Sequence, residues 1–336
     1  MSTDSILYVV TGATGFLGNN IVHDLLRENK KVRCFVRDLA KADRLFEGKV
    51  ECVVGDINDA DALRKALSGD EEKIVIHCAA MVSIGGKKLY KPMRIVNVGG
   101  TKNVVDRCIE CGVKRLVHVS SVHAITEPKK HGMTYETKDF DMNKVVGSYA
   151  KTKAEATAYV MDAINNRGLN AVVVHPSGIV GPYDYGNTYL TKLITDYDAG
   201  RIPAGVKGGY NFVDVRDVSY GTIAAAEKGR TGETYLLTGN FVTVREITEN
   251  LYLNLKKKHV KTMLPMWIAQ VGAPFLAMSA KMAHTEPLYT RYALYTLKSN
   301  GNFCNDKAQR ELGFTARSIE DSIKDCVAFL REEKRL

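Results

Sequence analysis

The 336-residue sequence predicts an α/β protein: a doubly wound parallel sheet with helices on both faces, followed by a smaller mixed α/β unit. Three observations carry this. Apolar runs too continuous for a one-faced strand recur through the first half. Stretches of helical spacing separate them. Three glycines sit where the first apolar run meets the first helical stretch.

The elements follow in order. "ILYVV" (Ile6 to Val10) is the first strand, and "FLGNNIVHDLLREN" has helical spacing. "KVRCFV" is the second strand, with a short helix around Ala40 to Phe46. "VECVV" is the third, with a helix from Asp59 to Leu67. "KIVIHCA" is the fourth, and a long helix spans about Lys91 to Cys111. "VKRLVHVSS" is the fifth strand, and a helix containing "SYAKTKAEATAYV" follows it. "LNAVVVHPSGIVG" is the sixth strand with its exit loop. Right-handed crossovers turn this alternation into a doubly wound sheet.

After Pro182 the pattern loosens. A helix is predicted from Tyr189 to Asp198, and a strand leading into a helix within "YNFVDVRDVSYGTIAAAEKG". "ETYLLTG" reads as a strand. "TVREITENLYLNLKK" reads as a helix capped by Thr243, with Glu246 three residues on. "FTARSIEDSIKDCVAFLREEK" closes the chain as a helix. The expected division is a dinucleotide-binding unit over 1–180, to which segments near 209–236 return, and a mainly substrate-binding unit over 181–336.

Composition narrows the function. The net charge of +9 comes from dispersed basic residues, without the aromatic-interleaved patches that stack bases, so no nucleic acid partner is expected. Seven cysteines are an odd number among apolar neighbours, and the Cys108/Cys111 pair lacks further ligands nearby; free thiols and no metal are expected. The first residues run from polar straight into a strand, unlike a signal peptide, and a cytoplasmic protein is expected. Met263 to Ala283 is the most apolar stretch, interrupted by Gln270 and Pro274 and short of a clean membrane span. Its part from Leu264 to Met282 reads first as a core helix pair. Lining an apolar substrate pocket, or a peripheral membrane contact, are the lesser readings.

"VVTGATGFLG" places Gly12, Gly15 and Gly18 between strand and helix. Such a turn brings backbone close to a ligand, and amides at the helix start receive a pyrophosphate. Thr14, Phe16 and Leu17 belong to the same turn. At the end of the second strand, Arg37 would welcome a 2'-phosphate, with Lys41 and Arg44 further on. This favours NADP(H) over NAD(H). Asp38 can instead bind ribose hydroxyls, or simply start the next helix. Asp56, followed by Ile57, ends the third strand and either accepts from an adenine amine or caps its own loop.

Tyr149 and Lys153 stand four apart and share one helical face. Ser121 ends the fifth strand on the carboxyl side of the sheet, where ligands bind. A carbonyl that accepts hydride needs a proton. A phenol can supply it, an adjacent ammonium favours the phenolate, and a serine hydroxyl can orient the carbonyl.

Together these segments resemble the extended short-chain dehydrogenase/reductases of the NAD-dependent epimerase/dehydratase superfamily. "TGATGFLG" resembles the family's cofactor turn, "YAKTK" its Y-x-x-x-K signature and "HVSS" its serine segment. The resemblance implies Tyr149 as acid/base, Lys153 as its partner and holder of the cofactor ribose, and Ser121 as the catalytic serine. "VNVGGTKNV" resembles the segment in which Asn97 helps order the site. "HCAA" implies Ala79 and Ala80 beside the cofactor. "HPSGIVGP" implies Pro176, Ser177, Gly178 and Ile179 over the nicotinamide. "FVDVRDV" and "NDKAQRELGF" resemble later landmarks, so coverage is nearly complete.

Within the family, sugar-nucleotide enzymes carry an Arg where "YNFVDV" has Tyr210, and dehydratases an acid pair where "SSVHAITE" has Val122 and His123. The late "EPLYTRYALYTLKSNGNFCNDKAQRELGF" resembles dihydroflavonol-4-reductase-like and 3β-hydroxysteroid dehydrogenase-like members. The expected function is NADP(H)-dependent interconversion of a ketone or aldehyde and its alcohol on a small, fairly apolar substrate. His123, Tyr183 and Tyr210 are candidate substrate contacts. The alternatives are a nucleotide-sugar epimerase/dehydratase and a non-catalytic cofactor-binding regulator. A homodimer through the helix near 91–111 and the helix of "SYAKTKAEATAYV" is what the resemblance implies.

Overall fold

The structure, a computed structural model, describes residues 6–82, 90–128, 132–186, 188–272 and 290–336. Its main sheet has seven parallel strands: β1 (Leu7–Thr11), β2 (Lys31–Val36), β3 (Glu51–Val54), β4 (Lys73–His77), β5 (Arg115–Val119), β6 (Ala171–Pro176) and β10 (Thr234–Leu237). Their order is β3-β2-β1-β4-β5-β6-β10, and every pairing is parallel. Chain direction across the sheet reverses between β1 and β4, which opens a crevice at the carboxyl ends of those strands.

Side chains of each strand alternate between two buried layers. Val10, Ile76, Val117 and Val172 face one layer with α1 (Phe16–Arg27), α2 (Leu39–Phe46) and α8 (Val215–Lys228). Val9, Val75, Leu116 and Val173 face the other, with α3 (Ala60–Ala66), α5 (Gly100–Glu110) and α6 (Ser148–Arg167). This double burial explains why the strands read as unbroken apolar runs.

The remaining chain adds a three-stranded mixed sheet of β7 (Gly178–Val180), β9 (Gly209–Asp214) and β11 (Asn240–Thr243), and a two-stranded pair, β8 (Gly205–Val206) with β12 (Met263–Leu264). A third apolar cluster joins α7 (Tyr189–Asp198), α9 (Val244–Leu255) and α12 (Ile319–Glu332). Thr243 and Glu246 form the expected capping box at the start of α9.

Four segments differ from expectation. The long helix is α4 (Tyr90–Arg94) and α5 joined by a π-helical turn over Ile95–Gly99. The extra residue in this wider turn re-aims side chains in mid-helix, as such turns do near functional sites. The exit of β6 is itself a strand, β7, in the second sheet. Phe314 to Arg317 are not helical, because Ser318 caps α12 through the amide of Asp321. The apolar stretch is described only as far as residue 272, and 273–282 lie outside the described residues. Trp267 is 66% exposed and Val271 65%, so its described part is not a core helix. Among the described residues no helix is long and apolar enough to cross a membrane.

Candidate active site

The glycine turn is explained by close backbone approach. Gly12 adopts φ +68, and a Cβ there would lie 2.7 Å from the Ala79 amide nitrogen. A Cβ on Gly18 would lie 2.2 Å from the Gly12 carbonyl oxygen. Gly15 is the N-cap of α1, with no side-chain cap, and its amide donates to Gly12 O at 2.9 Å. The first-turn amides of Phe16, Leu17 and Gly18 therefore have no intrahelical acceptor and suit a phosphate oxygen. Thr14 is half-buried at the same turn.

Around this cradle stand the other predicted cofactor residues. Ala79 and Ala80 follow β4, half-buried beside Gly12. Arg37 is exposed at the end of β2 and has no ion pair among the described residues. Asp38 caps α2, accepting from Lys41 N at 2.9 Å, which settles its helix-starting role. Asp56 accepts from the amide and side chain of Asn58 at 2.9 and 2.7 Å, so one of its oxygens is spent on its own loop. Ile57 is buried against Gly100. Pro176 ends β6, Gly178 and Ile179 start β7, and between them the Ser177 hydroxyl is buried without a partner. The tight cradle, the uncapped helix and the orphaned Ser177 hydroxyl fit a dinucleotide.

Lys41 stands apart from that group. It lines a groove of about 980 Å³ with His23, Arg44 and Tyr183. Tyr183 stands apart from His123 and Tyr210 in its ring contacts. The chain leaves β7 through Gly181 at φ +140, Tyr183 itself takes φ +67, and its ring packs on Phe329 at 5.3 Å. Its ring contact is thus with α12, and no ring contact joins it to the other two candidate substrate contacts.

Those two do converge. Ser121 caps the 3₁₀ turn Val122–Ala124, its Oγ accepting from His123 N at 3.2 Å, and it lies beside the Tyr149 phenol. The ring of His123 lies 6.1 Å from Tyr149 and 5.5 Å from Tyr210, and its Nε2 shares a 3.0 Å hydrogen bond with the Tyr210 hydroxyl. Burial lowers the His123 pKa to about 4, so the imidazole is neutral at pH 7.

Lys153 is buried, with its Nζ donating to Val119 O at 2.7 Å, and burial lowers its pKa to about 8. Burial pushes the Tyr149 phenol up to about 12, opposed by the neighbouring Ser121 hydroxyl. The expected lowering of this phenol by Lys153 is not seen: burial sets the direction, and the ammonium is turned to the Val119 carbonyl. Asn97 sits in the π-helical turn. Its Oδ1 accepts from Met81 N at 2.7 Å, and its Nδ2 donates to Met81 O and Thr152 Oγ1, both at 3.0 Å. It thereby ties the exit of β4 to α6 and touches neither Tyr149 nor Lys153 directly.

Residues that sequence reasoning missed are aromatic. Tyr292, on α10 (Arg291–Thr296), lies 6.1 Å ring to ring from His123, and Tyr295 stacks on it. They lie in the late "EPLYTRYALYTLKSNG" stretch, whose resemblance assigned them no role; they arrive from the end of the chain by tertiary packing.

In sequence and fold the chain resembles known proteins. The model of the 3-beta hydroxysteroid dehydrogenase/isomerase family matches residues 9–246. Sterol demethylase protein B of Methylococcus capsulatus is 33% identical, over 96% of this chain and 98% of its own. The crystal structure of gox2253 superimposes with a TM-score of 0.83 at 32% identity, covering 98% of this chain and 99% of that one. A dTDP-glucose 4,6-dehydratase from Streptomyces venezuelae, solved with NAD bound, shares the fold at a TM-score of 0.77 and 21% identity, covering 98% of both chains.

Proposed function

The chain belongs to the 3-beta hydroxysteroid dehydrogenase/isomerase family and is an enzyme of the extended short-chain dehydrogenase/reductase type; within that family we propose an NADP(H)-dependent oxidoreductase that interconverts a ketone or aldehyde and its alcohol on a small, fairly apolar substrate. The observation that carries this reading is the placement of Ser121 beside the Tyr149 phenol at the carboxyl edge of the sheet, with Lys153 buried on the same helix.

The cofactor would be held by the amides of Phe16, Leu17 and Gly18 at its pyrophosphate, by Arg37 at its 2'-phosphate, and by Lys153 and Ser177 towards its nicotinamide end. When bound it supplies or accepts the hydride. Ser121 donates to the substrate oxygen, fixing the carbonyl against the phenol. Tyr149 holds the proton that this oxygen takes up on reduction. Its raised pKa suits a proton donor at neutral pH, and a cation brought towards the phenolate assists the reverse direction. Asn97 positions α6 by holding Thr152.

Residues 1–180 with the returning segments near 209–236 would bind the cofactor, and 181–336 mainly the substrate. A cytoplasmic homodimer packing through α4–α5 and α6 accompanies this reading; Ile95, 54% exposed on that surface, supports the contact. A nucleotide-sugar substrate is disfavoured because Tyr210 is bonded to His123 where a diphosphate would need a cation.

The test is turnover of a carbonyl panel with NADPH and NADH, by wild type and Tyr149→Phe. Wild type should prefer NADPH, and the variant should lose roughly 100-fold or more in kcat with NADPH affinity kept. A strong NADH preference, or activity only on a nucleotide sugar without net cofactor change, refutes the reading.

A further inference from the structure

Tyr292 has a buried hydroxyl with no hydrogen-bond partner among the described residues. Polar groups in such positions are nearly always paired in the working state, by protein, water or ligand. The ring is well held. A Cβ on Gly147, the N-cap of α6, would lie 2.1 Å from Cε2 of Tyr292, so only glycine admits the ring there. Tyr295 stacks on its far side at 6.1 Å and 19°.

Three phenols therefore surround the neutral ring of His123: Tyr149, Tyr210 and Tyr292. Tyr210 is bonded to His123 Nε2, and Tyr149 lies beside Ser121, where the reacting carbonyl is proposed to sit. The Tyr292 hydroxyl is committed to neither and has no partner among the described residues. A substrate carbonyl oxygen accepts through two lone pairs, and Ser121 and Tyr149 take both. A partner for Tyr292 must then be a different oxygen.

The surroundings also set its charge. Burial and the nearby phenol of Tyr149 hold the Tyr292 hydroxyl in its protonated, donating form. Glu127, near Tyr295 and accepting from Asn300 N, faces the same cluster and adds to that effect. An anionic partner would meet this carboxylate at close range. Lys144, which lines the adjoining cavity with Glu127, is paired with Asp139 at 3.2 Å.

We propose that Tyr292 is a specificity-determining residue whose hydroxyl donates to a second, uncharged oxygen of the substrate, near the carbonyl that is reduced. The preferred substrates are then keto esters, diketones or hydroxy ketones rather than plain ketones. A site built to bond an oxygen discriminates against the analogue that lacks it, since its own donor is left unpaired. This rests on the carbonyl-reductase reading.

The test compares ethyl acetoacetate with 2-heptanone, a chain of similar length without the ester oxygens, on wild type and Tyr292→Phe. The variant removes one oxygen and keeps the ring packed on Gly147. Expected is a rise in KM for ethyl acetoacetate of about three- to tenfold, with kcat nearly unchanged and 2-heptanone unaffected. Calorimetric titration of both compounds into the protein–NADP⁺ complex reads the same ratio without turnover. If neither compound is reduced, the functional reading fails while the titration still decides the role of Tyr292. Equal effects on both compounds, or a wild type that binds them equally, overturns the proposal.

Discussion

Replacing Lys153 by Met should stabilise the fold while abolishing turnover. The ammonium is buried, and its pKa falls from 10.5 to about 8. At about 1.4 kcal/mol per pH unit, holding that charge in the folded state costs about 3 kcal/mol at neutral pH. The bond to Val119 O returns about 1 kcal/mol. Methionine fills nearly the same volume without the charge, so a net gain of about 2 kcal/mol is expected at pH 7. The sign changes with pH in a defined way. Below pH 8 both folded and unfolded chains hold the proton, and the penalty is complete. Between about 8 and 10.5 the folded chain has released it and the unfolded chain has not, so wild type gains stability as pH rises. Above that window both are neutral and the penalty is gone. Equilibrium urea unfolding of both proteins at pH 7, 8, 9 and 10.5 measures the difference, and other titrations cancel in it. A variant less stable than wild type at pH 7, or a difference independent of pH, would refute the reasoning.

Arg37→Ala should raise the KM for NADPH by about ten- to a hundredfold, the worth of a charged hydrogen bond, and leave NADH nearly untouched; parallel losses with both cofactors count against a 2'-phosphate contact. Gly18→Ala places a methyl 2.2 Å from the Gly12 carbonyl, so the turn must open. Its melting temperature should fall and NADP(H) affinity, read by calorimetry, should drop at least about tenfold; an unaltered affinity would mean that the turn does not hold the cofactor.

Much of the fold was legible because double burial leaves its mark on every strand. Val9 and Val10 face opposite layers, yet both are apolar, and that run declares a covered parallel strand. The glycine spacing was legible for a similar reason. Gly12 and Gly18 are excluded from bearing a side chain by contacts within one turn of chain and the strand beside it. Tyr149 and Lys153 sit on one helix, where four residues make one turn.

What depended on distant chain segments was not legible. The π-helical turn at Asn97 exists because its side chain joins Met81 and Thr152, one before it and one far after. Tyr183 has a plausible place in sequence, just after β7, but the left-handed backbone there turns its ring onto Phe329. The pKa of Lys153 is set by burial, which a list of residues does not contain.

The amino-acid order alone thus determined the doubly wound sheet and the close-packed glycine turn, which rest on periodicity and short spacing, and it singled out the Ser121, Tyr149 and Lys153 trio proposed for catalysis. Tertiary structure decided how His123, Tyr210 and Tyr292 close around that trio, because aromatic rings from β9 and α10 meet the active-site helix only after the chain end packs back against Gly147. Contacts between segments far apart in the chain, such as the 87 residues between His123 and Tyr210, have no period for a sequence to display.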